Sequence, residues 1–317
     1  MQSRMLSPNG IRRRCGQKGI ALMLVLWIIA LLTIIAVSMT AAQRTETTLA
    51  ANQVGTVRFR AQAEAAIHYA ALNLMARPVT LEVDAKEELW VPDGRPYSWS
   101  FGGGILEISV LNEGSLIDLN SAERDLLAGL LSALEIEPEA QDPLLDAILD
   151  WRDEDDLHLL NGAEDPDYEA AGWPHGAKDG PFDSIEELRQ VLGFERDLYR
   201  LLAPVLTVAS GKPRIDEQLA PPLVQAALEG RTLEEVQIRE AEEELYATLD
   251  AQESVLERGG PLYRIRVRRV QAEGAEQAME AQVLVQQTLE PPVRVLWRRY
   301  GLAPEPVPLD PDADLPR

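Results

Sequence analysis

The sequence predicts an α+β protein: one long N-terminal α-helix packed on an antiparallel sheet, with a large helical domain inserted into that sheet. Three observations predict it. Residues 19–43 form an uncharged apolar run, and a helical pattern continues beyond it to about residue 78. Apolar alternation of period two occurs near 97–110 and again from 263. Between these stretches, residues 121–258 carry mostly short helical signals.

The apolar run is long enough, at about 1.5 Å per residue, to cross roughly 30 Å of hydrocarbon as a helix. Arg4, Arg12, Arg13, Arg14 and Lys18 precede it, and no acid occurs among the first nineteen residues. Such a basic flank stays cytoplasmic, which sends the remainder of the chain across the membrane. A secretory signal has a shorter apolar core and is removed with it. A small-x-small site at Ala36-Val37-Ser38 keeps that reading open, as does an uncleaved anchor. The junction Lys18-Gly19-Ile20 offers a third: a cut there leaves the whole apolar helix on the mature chain.

Past the run, Leu49, Val54, Val57, Ala61, Ala65, Ile67, Leu72 and Met75 recur at spacings of three to four, and Pro78 closes the stretch. Frequent alanine (Ala61, Ala63, Ala65, Ala66, Ala70, Ala71) permits close packing on a sheet. The alternative is two helices broken near Gly55. Tyr97, Trp99 and Phe101 alternate with serines, Leu106, Ile108 and Val110 alternate likewise, and Gly102-Gly103-Gly104 supplies the turn of a hairpin. Asn120 or Ser121 is the expected N-cap of a leucine-rich helix, with Glu123 placed as in a capping box. Helices are expected at 144–151, 184–191 and 196–202, with a helical stretch over 221–256. Asp183 or Ser184 caps the second, Glu186 and Glu187 suit its first turn, and Gly193 ends it. Strands are expected at 263–268, 282–288 and 293–297. The tail after Gly301 has five prolines and four acids and is expected to be disordered.

The 317 residues contain 52 acids and 30 bases, a net charge of −22 that becomes about −27 without the five leader bases. That balance argues against binding a phosphate backbone, so no nucleic-acid partner is expected. Cys15 is the single cysteine and lies in the leader, so no disulfide staples the exported part.

The densest chemistry is Asp150-Trp151-Arg152-Asp153-Glu154-Asp155-Asp156, followed by Asn161-Gly162-Ala163-Glu164-Asp165-Pro166-Asp167-Tyr168-Glu169. Nine carboxylates fall within twenty residues against Arg152, with His158 mostly neutral. Like charges at this density repel unless solvated or neutralised. Hard cations take six to eight oxygens, and Asp153 and Asp155 show the alternation of calcium loops. No twelve-residue EF-hand frame fits, and Gly162 is out of place for one. The residues alone leave both a solvated loop and a cation site open. Trp151, Tyr168 and Trp173 flank the loop as an apolar support.

A basic leader ending in Gly19, followed at once by an apolar helix, resembles the type IV pilin-like (class III) signal. In that family a prepilin peptidase cuts after the glycine and methylates the new amine, here on Ile20. Most members carry Glu at mature position five; here that residue is Leu24. Its absence, together with the blocks DWRDEDD (150–156), NGAED (161–165), AKDGPFDSIEELRQVLG (177–193) and LYRLLAPVLTV (198–208), resembles the minor pseudopilin K (GspK) family of type II secretion. The resemblance implies a pilin-like helix and sheet, an inserted helical domain and calcium in the acidic loop. Matching positions for calcium are Asp150, Asp153, Asp155, Glu164, Asp165 and Asp167, with Asp153, Asp155, Glu164 and Asp167 first. Asp179 departs from the family's usual Asn before Pro-Phe, keeping a carbonyl-type oxygen while adding charge. Residues 184–194 also resemble a helix-hairpin-helix (SAM-like) unit, and 215–224 a second. Glutamates around the first turn favour packing over DNA contact.

His68, His158 and His175 are the histidines, and no H-E-x-x-H, G-x-S-x-G or P-loop occurs. Two nearby acids could serve glycoside chemistry, but a carboxylate-rich loop without a recognisable groove points to a cation site. No catalysis is expected.

The resulting expectation has six parts: a leader at 1–19, a membrane and long helix at 20–78, a first sheet portion at 79–120, an inserted domain at 121–258, returning strands at 259–300 and a tail at 301–317. The implied role is a minor pseudopilin at the tip of the periplasmic pseudopilus, initiating or capping its assembly, held in the inner membrane with its N-terminus cytoplasmic. Implied partners are the I, J and H pseudopilins, the inner-membrane assembly platform, the prepilin peptidase and membrane lipid. Helix contacts near residues 61–71 are candidates for the subunit interface. The competing readings are a membrane-anchored periplasmic calcium-binding module and an anchored hydrolase.

Overall fold

The structure is a computed structural model that describes residues 18–75, 90–211, 214–247, 259–270 and 277–302. The first element is one continuous helix, α1 (Lys18–Met75), unbroken at Gly55. Every described residue from Ala21 to Thr40 is solvent-facing, and the run is apolar enough to cross a membrane. Thr33 and Thr40 donate their hydroxyls to the carbonyls four residues back, each at 2.8 Å, so neither leaves a bare polar group in the run. The expected helix end at Pro78 lies outside the described residues.

Five antiparallel strands form one sheet in which neighbours in space also follow one another along the chain. The hairpin of β1 (Asp93–Phe101) and β2 (Gly104–Asn112) turns at Gly102 and Gly103. Both have positive φ, +59° and +76°, as a two-residue primed turn requires. Strands β5 (Leu262–Arg269), β6 (Gln277–Val285) and β7 (Val293–Leu302) complete the sheet. β6 begins five residues before the expected Gln282; Met279, Ala281 and Val283 alternate inward from its start.

The later part of α1 lies on one sheet face. Ala63, Ala66, Ile67, Ala70 and Ala71 are fully buried, opposite a face built from Leu106, Ile108, Val110, Ile265, Val267, Met279, Ala281 and Val283. Gln62 donates to Phe101 O at 2.7 Å and accepts from Arg269 Nη2 at 2.6 Å, tying the helix to the hairpin end. Tyr69 stacks on Trp99 at 4.6 Å. Ala63, Ala66, Ala70 and Ala71 therefore serve the chain's own sheet, as their close-packing pattern implied, while Ala61, His68 and Leu72 are exposed on the stretch expected to offer a subunit interface.

β2 and β5 are sheet neighbours, paired from Leu106–Arg269 to Asn112–Tyr263, although the whole helical block separates them in sequence. That block holds α2 (Arg124–Ala133), α3 (Pro138–Arg152), α4 (Asp165–Ala170), α5 (Arg196–Leu202), α6 (Pro222–Glu229) and α7 (Leu233–Ala247). A single core joins them, from Ile117 and Leu119 through Leu127, Leu145, Leu188 and Leu206 to Val236. Its start is stitched to the segment after α5 by a short parallel pair, β3 (Ile117–Asp118) with β4 (Leu206–Thr207). Two-residue strands carry no periodicity, so the sequence gives no sign of them.

Several local expectations change. The cap of α2 is Glu123, because Asn120 is engaged elsewhere: it donates to Phe182 O at 3.0 Å and accepts from Phe182 N at 2.7 Å. The segment expected as a helix at 184–191 is a 3-10 turn, Ile185–Gln190, with no side-chain cap from Ser184. Within the stretch expected over 221–256, residues 222–247 form two helices parted at Gly230, whose φ of +66° ends α6, and residues 248–256 lie outside the described residues. The prolines and acids after Gly301, and with them the expectation of a disordered tail, lie outside the described residues.

Candidate functional site: the acidic loop

The loop after α3 is organised by two buried aspartates on one face of that helix. Asp150 is fully buried; its carboxylate accepts from Leu159 N at 3.1 Å and from Ala163 N at 2.9 Å. One turn earlier, Asp146 accepts from Asn161 N at 3.2 Å and from Arg124 Nε at 3.2 Å. Gly162 is where it is because a Cβ there would overlap Asp150 Oδ2. Beneath the loop Trp151 lies 6.0 Å from Tyr168 and 6.2 Å from Phe182, and Tyr168 lies 6.4 Å from Trp173. The expected aromatic support is present, with His175 and Phe182 added to it.

Arg152 lies near enough to Asp153 to attract it, but its hydrogen bonds go elsewhere. Its guanidinium donates to the carbonyls of Leu119 and Ala122. Lys178 pairs with Asp183 and Glu187, each at 2.8 Å. His158 Nδ1 lies 3.5 Å from Asp167 at the edge.

Three carboxylate oxygens, Asp153 Oδ1, Glu164 Oε1 and Asp179 Oδ1, are buried without a hydrogen-bond partner. Burying an acceptor unpaired is costly, and burying an ionised one more so. Burial, reinforced by Asp179, Asp150, Asp153 and Asp156, pushes the Glu164 carboxyl up to about 7. Burial likewise raises Asp150, Asp153 and Asp179, with Asp155 adding at Asp153 and Asp165 at Asp179. Asp179 also sits at a φ of +53°.

The residues expected around calcium divide by position. Asp153 and Glu164 hold the orphaned oxygens; Asp150 is committed to backbone amides. Asp155 accepts from Leu157 N at 3.0 Å, and Asp167 from Glu164 N at 3.0 Å. Asp165 lies against Gly176, where a Cβ would overlap its carboxylate. Among the described residues these acids do not close into a compact group of three or more ready to hold a metal. Asp179 joins the cluster from a separate loop, and Asp156 adds to its field; the only sequence signal for Asp179 was its departure from Asn. The donor set is all oxygen and hard, which suits Ca²⁺ over softer metals.

A long N-terminal helix laid on an antiparallel sheet, with a helical domain inserted between adjacent strands, defines a pilin-like scaffold carrying an extra domain. Residues 107–211, from β2 to just past β4, match the family model described as type II secretion system (T2SS), protein K. The chain is 29% identical to type II secretion system protein K of Klebsiella pneumoniae over 206 residues, 59% of this chain and 61% of that protein. It is 29% identical to the protein of the same name from Pectobacterium carotovorum subsp. carotovorum over 205 residues, 60% of this chain and 62% of that protein. The chain thus spans about three-fifths of the length of these curated relatives. In fold it matches a chain of the GspK–GspI–GspJ complex of the enterotoxigenic Escherichia coli type 2 secretion system. The TM-score is 0.56 at 21% identity, covering 81% of this chain and 99% of that one.

Proposed function

We propose that this protein is a minor pseudopilin of a type II secretion system, placed at the tip of the periplasmic pseudopilus to initiate or cap its assembly. The observation that carries the reading is the helical domain set between β2 and β5 of a long-helix scaffold, whose first part, up to residue 211, is similar to protein K. Such a domain is too bulky to repeat inside a narrow helical shaft, so it belongs at an end. The apolar half of α1 holds the protein in the inner membrane, with the basic leader cytoplasmic and the sheet and insert periplasmic. A prepilin peptidase cuts after Gly19 and methylates Ile20. The partners are the I, J and H pseudopilins and the assembly platform, and the role is contact rather than catalysis. N-terminal sequencing of protein extracted from membranes should read N-methyl-Ile20; an intact Met1 or a start after Ser38 counts against this reading. Detergent-extracted full chain should co-purify with the I-type and J-type subunits, and failure to do so removes the tip role.

The acidic cluster is the proposed Ca²⁺ site of the same protein. Asp153, Glu164 and Asp179 supply the oxygens that lack partners, Asp155, Asp165 and Asp167 stand around them, and Asp150 sets the loop. A bound Ca²⁺ supplies positive charge to the oxygens that Arg152 leaves without a hydrogen bond. Addition of millimolar Ca²⁺ to the full chain in detergent should raise its melting temperature, and Asp153→Asn with Glu164→Gln should remove that rise. An anchored calcium-binding module unrelated to pili keeps the calcium result but not the Ile20 start.

A further inference from the structure

The segment 157–160, Leu157-His158-Leu159-Leu160, stands between the two acidic runs and points its apolar side chains outward. Leu157 is 76% and Leu160 94% exposed, while Leu159 is 39% exposed. Elsewhere in the helical block leucines fill the core, so two nearly bare ones on one short loop are not surplus from packing. Nor is the loop loosely tethered. Its amides at Leu157, Leu159, Asn161 and Ala163 are held by Asp155, Asp150, Asp146 and Asp150, and the two anchor residues on α3 are buried. A loop pinned at its base and apolar at its tip is preorganised, so it loses little conformational freedom on docking.

We propose that Leu157 and Leu160 form a docking finger for a protein partner bearing an apolar socket rimmed by lysine or arginine. Charge complementarity selects that occupant. Glu154 and Asp156 before the finger and Glu169 after it are exposed and stand apart from the proposed cation site, while the nearby Arg152 is turned inward to backbone carbonyls. An anionic lipid surface would repel so many carboxylates, and two leucines offer little insertion to offset that. A cationic rim meets both runs at once while the leucines fill the socket. The finger rests on the secretion reading only for the cellular setting in which its partner is sought.

The test places p-benzoylphenylalanine at Leu160 in the otherwise intact full chain, expressed in secreting cells and irradiated there. The expected result is a discrete protein adduct whose cross-linked peptide borders a lysine- or arginine-rimmed apolar surface. The adduct should fall at least tenfold when Leu157→Asp or Glu154→Lys with Asp156→Lys is added. Leu157→Asp sits on an exposed side chain, so melting temperature and co-purification with the I-type and J-type subunits should be unchanged. Adducts with lipid alone, no adduct above that from the same probe at exposed Ser98, or an adduct that survives Leu157→Asp each overturn the proposal. Loss of I and J co-purification by the wild-type chain would instead count against the secretion reading.

Discussion

At Gly162 an added methyl group would overlap Asp150 Oδ2, the oxygen that accepts the Ala163 amide. Asp150 cannot yield easily, because it is fully buried at the end of α3. Gly162→Ala should therefore destabilise the chain by about 1–3 kcal/mol, the usual cost of overpacking, as read from chemical denaturation. The same variant should blunt the Ca²⁺ response, since it displaces the loop that positions Glu164. Glu164 itself makes stability depend on pH. Its folded carboxyl titrates near 7 against an ordinary value of 4.5, so the folded state holds a proton that the unfolded state releases. Stability is fully present below about 4.5, declines as pH rises through the window, and is lost above 7. The loss from Glu164 is on the order of 3 kcal/mol, and Asp150, Asp153 and Asp179 act in the same direction. Chelated protein should melt lower at pH 8 than at pH 5, and Glu164→Gln should flatten that slope. A melting temperature that rises over this range in the chelated wild type would contradict the assignment.

Between elements the strongest link is Arg264 on β5. It is buried and donates to both oxygens of buried Glu113, at 3.0 and 3.2 Å, and to Leu206 O on β4 at 2.9 Å. Gln282 on β6 adds a bond to Glu113 at 3.2 Å. Two strands of the sheet, the turn that leaves β2 and strand β4 of the insert thus meet at one ion pair. Arg264→Ala leaves Glu113 buried without its cation, held by Gln282, and should cost about 3–5 kcal/mol in unfolding free energy. Adding Glu113→Leu to it should recover part of the loss, because the stranded charge goes too. None of this was legible beforehand: Glu113 and Arg264 lie 151 positions apart, and no local pattern joins them. The hairpin was legible, since its glycines and alternating aromatics encode both turn and face. So was α5, found at 196–202 as expected. The 3-10 turn at Ile185–Gln190 was read as a helix because its apolar spacing fits either. In the acidic loop the carboxylate types and spacing pointed to a dense acidic cluster, but whether each oxygen faced water, an amide or nothing depends on burial. That is why Asp150 proved an anchor and Asp179 a member of the cluster.

At the scale of the molecule, the insertion leaves the sheet's own pairing intact. Asn112 at the end of β2 pairs directly with Tyr263 near the start of β5, the same relation that Phe101 bears to Gly104 across a two-residue turn. The chain crosses at one narrow neck. There Asn112 accepts from Gly260 N at 3.1 Å and donates to Asp216 at 3.1 Å, and Asp216 N in turn donates to Gly114 O at 2.9 Å. A sheet whose neighbouring strands already meet does not need the block between them to set its register. The helical block in turn has its own continuous core, from Ile117 to Val236. Replacing residues 113–262 by Asn-Gly, with Arg264→Thr to remove the stranded cation, should leave α1 and the five strands folded in detergent. The near-ultraviolet signal of the stacked Tyr69 and Trp99 should persist, unfolding should stay cooperative, and the Ca²⁺-dependent rise in melting temperature should vanish with the acidic loop. Co-purification with the I-type and J-type subunits then separates two contributions. If it survives, the helix and sheet carry the subunit contacts and the insert serves the tip alone. An excised chain that unfolds without a cooperative transition would mean that sheet and insert stabilise each other through the neck and the Arg264–Glu113 pair, and that the insert is not an independent addition to a pilin-like scaffold.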